Sequence, residues 1–180
     1  TLVTVSNSSW QRVLSNTKKE EDTDERYTPK WVLDLSQSVM GGIDLDPASD
    51  PNNRVPAARH FTKEDNGLNQ GWKGRIFLNP PFSNTSDWVK HLCIYWHSGA
   101  VTEAIVLLPV MALSNKSATL LMKGTASAFT LLGRNLSFLN SDYEEMGDSS
   151  PFPFALVYCG NRTEEFLDQT SDLGLGALLR

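Results

Sequence analysis

The sequence predicts an α/β domain built on a mainly parallel sheet that closes in a late antiparallel hairpin. Three observations carry that prediction. Short apolar runs rich in Ile, Val, Leu and Phe recur at 43–45, 75–79, 104–110, 127–132, 135–139 and 154–159. The earlier runs are separated by stretches with apolar residues at helical spacing. The runs beyond residue 127 follow one another with no helix between them, which is hairpin rather than crossover spacing.

Residues 1–26 are rich in Ser, Asn, Thr, Lys and Glu and carry the run Lys18-Lys19-Glu20-Glu21-Asp22. They read as a polar, mobile arm ahead of a single domain over 27–180. Trp10 is the exception, a ring expected to pack on the domain or touch a ligand. Thr28 reads as an N-cap and Pro29 as the first residue of a helix carrying Trp31, Val32, Leu35 and Val39 on one side. A strand is expected at 43–45. The following segment starts as loop, turns helical over Val55–Arg59 and gives a short strand at His60-Phe61-Thr62. A further strand covers 75–79. Residues 85–97 place Trp88, Leu92, Tyr95 and Trp96 at helical spacing. After the buried strand at 104–110, Ser114 is expected to cap a helix to Lys123. Strands at 127–132, 135–139 and 154–159 precede a last helix from Thr163.

Composition narrows the class. With 180 residues, 40% hydrophobic and 21% charged, the chain can bury a proper core as one domain. A net charge of -5 opposes a highly basic coat protein and is compatible with a local basic groove. The longest apolar stretch, near 104–113, is interrupted by Pro109 and is too short for a membrane span, so no membrane partner is expected. The polar start lacks a signal-peptide core, and Cys93 and Cys159 stand far apart, which together favour a reduced, cytoplasmic protein. His60, His91 and His97 lack paired ligand spacing, so no metal site is expected. No Ser-His-Asp or Cys-His pattern is visible.

The most informative segment is Ile76-Phe77-Leu78-Asn79-Pro80-Pro81-Phe82. Each proline fixes its own φ and restricts the residue before it, so Asn79 and Pro80 are both locked. Asn79 offers a side-chain carbonyl, Pro80 a backbone carbonyl and Phe82 an aromatic face. Two acceptors and a stacking surface suit a flipped-out base bearing an exocyclic NH2. Read alone, the motif is equally an Asn-Pro turn ending a strand.

A second constellation, Asp44-Leu45-Asp46-Pro47-Ala48-Ser49, follows the first strand, where open α/β sheets bind ligands. Ala48 does not suit an aspartyl phosphatase. Ser49 and Val55 do not suit a calcium loop. A plain Asp-Pro turn remains open. A third, Asp65-Asn66-Gly67-Leu68 with Trp72, is turn chemistry that could also bond an adenine amino group.

Taken in order, Tyr27-Thr28-Pro29, Asp44-Leu45-Asp46-Pro47-Ala48, Phe61-Thr62 with Asn66-Gly67-Leu68 and Trp72, and Asn79-Pro80-Pro81-Phe82 resemble the phage-type, Dam-like DNA N6-adenine methyltransferases. Leu107-Leu108-Pro109 and Gly133-Arg134 through Phe138 are also similar to that family. The resemblance covers about 27–160. It implies a compact variant of the Rossmann-like fold that uses S-adenosylmethionine, without a separate recognition domain. It also implies site-specific methylation of adenine N6 in DNA, in a bacterial or phage-infected cell. Asn79, Pro80, Pro81 and Phe82 would be the catalytic loop. Tyr27, Thr28, Pro29, Asp44, Asp46, Pro47, Ala48 and either Asp65 or Asn66 would bind the cofactor. Two departures stand out: no Gly-x-Gly loop follows the first strand, and the 32 residues between Pro47 and Pro80 predict a shortened sheet without an obvious ribose-binding carboxylate.

The alternatives are methylation of another planar amine (cytosine N4, an RNA base or a protein glutamine) and a non-catalytic nucleic-acid-binding module. Lys30, Arg54, Arg59, Lys63, Lys73, Arg75 and Arg134 are the candidates for phosphate contact. Base readout would fall to loops at 111–117 and 140–153, which include Tyr143 and the acidic cluster from Asp142 to Asp148.

Overall fold

The computed structural model describes residues 27–133, 136–139 and 152–179. The expected arm over 1–26, Arg134 and most of the 140–153 loop lie outside them. The described strands are β1 Ile43–Asp46, β2 Ala57–His60, β3 Gly74–Leu78, β4 Val101–Pro109, β5 Ala128–Leu132, β6 Phe154–Cys159 and β7 Gly174–Leu178. They form one sheet in the order β2-β1-β3-β4-β6-β5-β7. β2, β1, β3 and β4 pair in parallel. β6 is inserted antiparallel between β4 and β5, and β7 pairs antiparallel with β5. The sheet is therefore α/β with a parallel half, but its antiparallel part extends over three pairings rather than one hairpin.

The helices are α1 Lys30–Met40, α2 Thr85–His97, α3 Lys116–Gly124 and α4 Thr163–Thr170. β4 shows why residues 104–109 read as an uninterrupted apolar run. Ile105 and Leu107 pack with Val32, Met40 and Phe166 from α1 and α4. Ala104, Val106 and Leu108 pack with Val89, Leu92 and Leu121 from α2 and α3. A strand covered on both faces has no polar side to show.

The turn out of α1 determines where its two ends lie. Gly41 takes φ 69°, a left-handed conformation suited to glycine, and Gly42 N–H donates to the Gln37 carbonyl at 3.1 Å. Arg75 donates to the carbonyls of Met40 and Gly41 at 3.2 and 2.8 Å. Arg162 donates to those of Val39 and Met40 at 2.8 and 3.1 Å. Two guanidinium groups thus occupy the electronegative end of the helix. The chain reverses into β1, and the start of α1 returns to the carboxyl edge of the sheet.

Several expected elements differ. α1 begins at Lys30, and Thr28 makes no cap; its hydroxyl serves Asn79 instead. The helix expected over Val55–Arg59 is replaced by β2, which also supersedes the strand expected at 60–62. Pro56 holds Val55 extended, five residues cannot nucleate a stable helix, and β1 offers a parallel partner. Asn115 rather than Ser114 caps α3, its Oδ1 accepting from Ala118 N–H at 2.8 Å. Ser114 closes a 3₁₀ turn over Val110–Ser114. Over the described part of the strand expected at 135–139, residues 136–139, the chain makes only an isolated bridge from Leu139 to Tyr27. β7 was not anticipated, because Gly174-Leu-Gly-Ala-Leu lacks the β-branched alternation that signals a strand. No helix among the described residues is long and apolar enough to cross a membrane.

Candidate functional site

Because β1, β3 and β4 are parallel, their carboxyl ends open onto one edge, where ligands meet α/β sheets. β3 delivers Asn79-Pro80-Pro81-Phe82 there. Pro81 adopts φ -53° and ψ 134°, and its carbonyl accepts from Asn84 N–H and Thr85 Oγ1, both at 3.2 Å, turning the chain into α2. Asn79 Nδ2 donates to Thr28 Oγ1 at 3.1 Å, joining the end of β3 to the approach of α1 across 51 positions of sequence.

Phe82 is half-buried. Its ring centroid lies 5.6 Å from that of Phe154 and 6.3 Å from that of Phe138, so the ring is braced by the core. Beside it, an open depression of about 390 Å³ lies between the Phe82–Ser86 turn and the Pro109–Asn115 segment that leaves β4.

β1 delivers Asp46-Pro47-Ala48 to the same edge. Asp46 is only 3% exposed, and its Oδ1 accepts from Ala48 N–H at 3.2 Å. Burial pushes its carboxyl up to about 7, against hydrogen bonds from Ala48 and Ser49 that lower it, while Asp50 adds to the rise. The backbone ties this loop to the end of β2: Phe61 N–H donates to Asp46 O and Ser49 N–H to Phe61 O, both at 2.9 Å.

Gly67 explains how the third segment joins. A Cβ there would collide with the Pro47 carbonyl and press on the Trp88 ring, so only glycine lets the two loops close. Trp72 Nε1–H donates to the Gly67 carbonyl at 2.8 Å and holds it in place. Asn66, exposed, occupies a left-handed corner at φ 51°, a conformation asparagine tolerates. Asp65 turns its carboxylate to Thr62, accepting from its N–H at 2.8 Å and its hydroxyl at 3.0 Å.

Tyr27 completes the edge. It bridges to Leu139 through two backbone bonds of 3.2 and 3.1 Å, and the Arg54 guanidinium lies 3.7 Å from its ring centroid.

A family model described as DNA N-6-adenine-methyltransferase (Dam) matches residues 14–166. The chain belongs to that family. No curated protein matches it significantly. The matched span contains the whole of the edge just described.

Within this Dam-family chain, one expected site residue stands apart. Asp44 is not brought to the carboxyl edge. Its carboxylate accepts from Arg75 Nε at 2.9 Å, from Nη2 at 2.8 Å and from the Arg75 backbone N–H at 2.8 Å, toward the amino end of β3. The Arg75 side-chain bonds hold it below the usual carboxylate range despite some burial.

The basic residues divide as well. Arg54 has a side chain only 8% exposed and lies 3.6 Å from Asp50, so it supports Tyr27 instead of standing out as a phosphate ligand. Arg75 is held by Asp44 and the end of α1. Lys73 is exposed but precedes β3, at the opposite end of the sheet. Lys30, exposed and paired with Asp34 at 2.6 Å, and Lys63, also exposed, stand on the carboxyl side. Sequence reasoning missed three features of this site: the Arg54 support, the Gly67 closure and the Thr28–Asn79 bond. Only the Asn-Gly dipeptide carried any local signal, as a turn.

Proposed function

We propose that this chain transfers the methyl group of S-adenosylmethionine to N6 of an adenine extruded from DNA, on a compact Rossmann-like methyltransferase fold. One observation carries the reading. The amine-holding Asn79 is hydrogen-bonded to Thr28, so the Asn-Pro-Pro-Phe loop and the segments that resemble a cofactor pocket share one edge.

The residues there fit such a cofactor. Asp46 offers a buried carboxyl at the end of β1, Pro47 and Ala48 line the loop behind it, and Thr28 and Pro29 open α1 beside Tyr27. Asn66 is the better placed of the two neighbours for the cofactor adenine, since the Asp65 carboxylate serves Thr62. When bound, S-adenosylmethionine supplies an electrophilic methyl group on a positively charged sulfur.

The remaining chemistry belongs to the chain. Adenine N6 is a poor nucleophile because its lone pair is delocalised into the ring. Asn79 Oδ1 and the Pro80 carbonyl accept its two N–H groups and favour a more tetrahedral nitrogen with a directed lone pair. Proline geometry fixes the Pro80 carbonyl and the Asn79 backbone in advance, so the effect is electrostatic preorganisation and alignment. Phe82 stacks on the base, a contact worth ~1–3 kcal/mol. Transfer would be direct, with no covalent enzyme intermediate: the N6 lone pair would form the new N–C bond as the methyl's bond to sulfur breaks, leaving a neutral thioether, and the surplus N6 proton would pass to solvent. Lys30 and Lys63 meet phosphate on either side.

Calorimetric titration of S-adenosylmethionine, followed by labelled methyl transfer to unmethylated DNA, tests this reading. Micromolar cofactor binding with label in DNA is expected. Cofactor binding without transfer to any nucleic acid would contradict it, and absence of cofactor binding would favour a binding module.

A further inference from the structure

The seven-stranded sheet ends in two unlike edges. β2 is guarded: Pro56 precedes it, and exposed Arg59 lies within it. Proline and charge are what keep an edge strand from pairing with another chain. β7, at the other edge, holds no charge and no proline, and its Leu175 and Leu178 are 71% and 59% exposed. Gly133 N–H donates to the Leu173 carbonyl at 2.8 Å, and Leu179 N–H to the Ser127 carbonyl at 2.9 Å. Alternation along an antiparallel strand therefore turns residues 173, 175, 177 and 179 toward β5. Gly174, Gly176 and Leu178 turn their N–H and C=O groups away from the sheet, where no strand among the described residues meets them.

We infer that β7 pairs antiparallel with β7 of a second copy of this chain, about a twofold axis at Gly176. The inference goes beyond the methyl-transfer reading and stands without it. Only a register centred on an outward-facing residue lets both strands exchange hydrogen bonds. Centring on Gly174 or Leu178 would run half of each strand past the end of the other. Centred on Gly176, the register sets Gly174 against Leu178 of the partner subunit, and Leu178 against Gly174 of the partner subunit. Each exposed leucine then lies beside a residue without a side chain, and the strands close without crowding. Carried two positions past the strand ends, the same count sets exposed Asp172 against Arg180 of the partner subunit, opposite charges at both ends of the ladder. The edge thus complements itself, which an unrelated strand would match only by chance. Because the paired strands run in opposite directions, the two carboxyl edges open on opposite edges of the joined sheet.

A Cβ at Gly174 would collide with the Leu131 carbonyl and one at Gly176 would press on Leu167, so the leucines are the positions to change. A ladder of 5 residues is small for an interface, so the dimer should form with a Kd of about 10–100 µM. Sedimentation across that range, beside the double variant Leu175→Lys/Leu178→Lys, tests the pairing. The wild type is expected to pass from monomer to dimer. The variant should associate at least about tenfold more weakly, with its circular dichroism spectrum and Tm unchanged. Backbone hydrogen exchange reads the register: the amides of Gly174, Gly176 and Leu178 should exchange more slowly as concentration rises. A wild type that stays monomeric across the range, whatever else covers the edge, overturns the inference. So does a dimer that survives the lysines, or one that leaves those three amides unprotected. If the lysine variant does not fold, exchange in the wild type decides alone.

Discussion

Asp44 and Asp46 lie two residues apart on the same short strand and meet opposite fates. Asp44, toward the amino end, is gripped by Arg75, which also closes the last carbonyls of α1. Asp46, at the carboxyl end, is buried with no cation paired to it among the described residues, its carboxyl raised to about 7. The amino end is a lattice of satisfied charge: Arg75 with Asp44, and Arg162 with Glu103, whose Oε1 also accepts from Tyr158 at 2.6 Å. The carboxyl end collects amides, carbonyls, the Arg54–Asp50 pair and the buried carboxyl of Asp46. The first arrangement stabilises the fold, and the second is the edge proposed to take a ligand. Mutations should divide accordingly.

The largest effect is expected at the carboxyl end. Asn79→Ala should lower kcat about 10²–10³-fold, the scale of losing one preorganised polar contact, while leaving cofactor affinity nearly intact. Steady-state methylation beside calorimetry checks this, and full activity would remove the proposed mechanism. Phe82→Ala comes next. It should weaken capture of DNA about tenfold, read as KM for DNA, and also lower Tm because Phe154 and Phe138 lose their neighbour.

At the amino end the signature should invert. Asp44→Ala is expected to cost about 1–2 kcal/mol of stability, modest because both partners are partly exposed, with kcat and cofactor affinity unchanged. A matching loss of cofactor binding would return Asp44 to the site.

The subtlest contrast is in pH. Asp46 titrates at about 7 when folded, against an ordinary 3.8, so the folded chain holds an extra proton between those values. The stability this gives is fully present below about pH 3.8 and falls as pH rises toward 7. Asp46→Asn should flatten that fall. Asp44 has the opposite sign: its carboxyl is lowered, so its contribution is present above 3.8 and lost as pH drops through the folded value. Thermal melts from acid to neutral pH distinguish the two; identical profiles for Asp44→Asn and Asp46→Asn would dissolve the contrast.

What was legible in the sequence follows from this division. α2, β4 and β6 could be read directly, since periodicity and apolar runs record burial against neighbours. The order of the motifs pointed to the Dam family, which the family match supports. β2 and β7 were illegible because their pairing partners, not their own residues, make them strands. Asp44 looked like Asp46 because proximity in sequence says nothing of which end of a strand faces a ligand. Arg54 reads as a surface cation because nothing local in the sequence shows that the Tyr27 ring lies beneath its guanidinium. The Thr28–Asn79 bond had no signal at all, being a contact between two distant loops.

The most direct test supplies the chain with labelled S-adenosylmethionine and unmethylated DNA, then digests the DNA to nucleosides. The label is expected in N6-methyldeoxyadenosine, and its appearance in N4-methyldeoxycytidine, or its absence from DNA, would contradict the account.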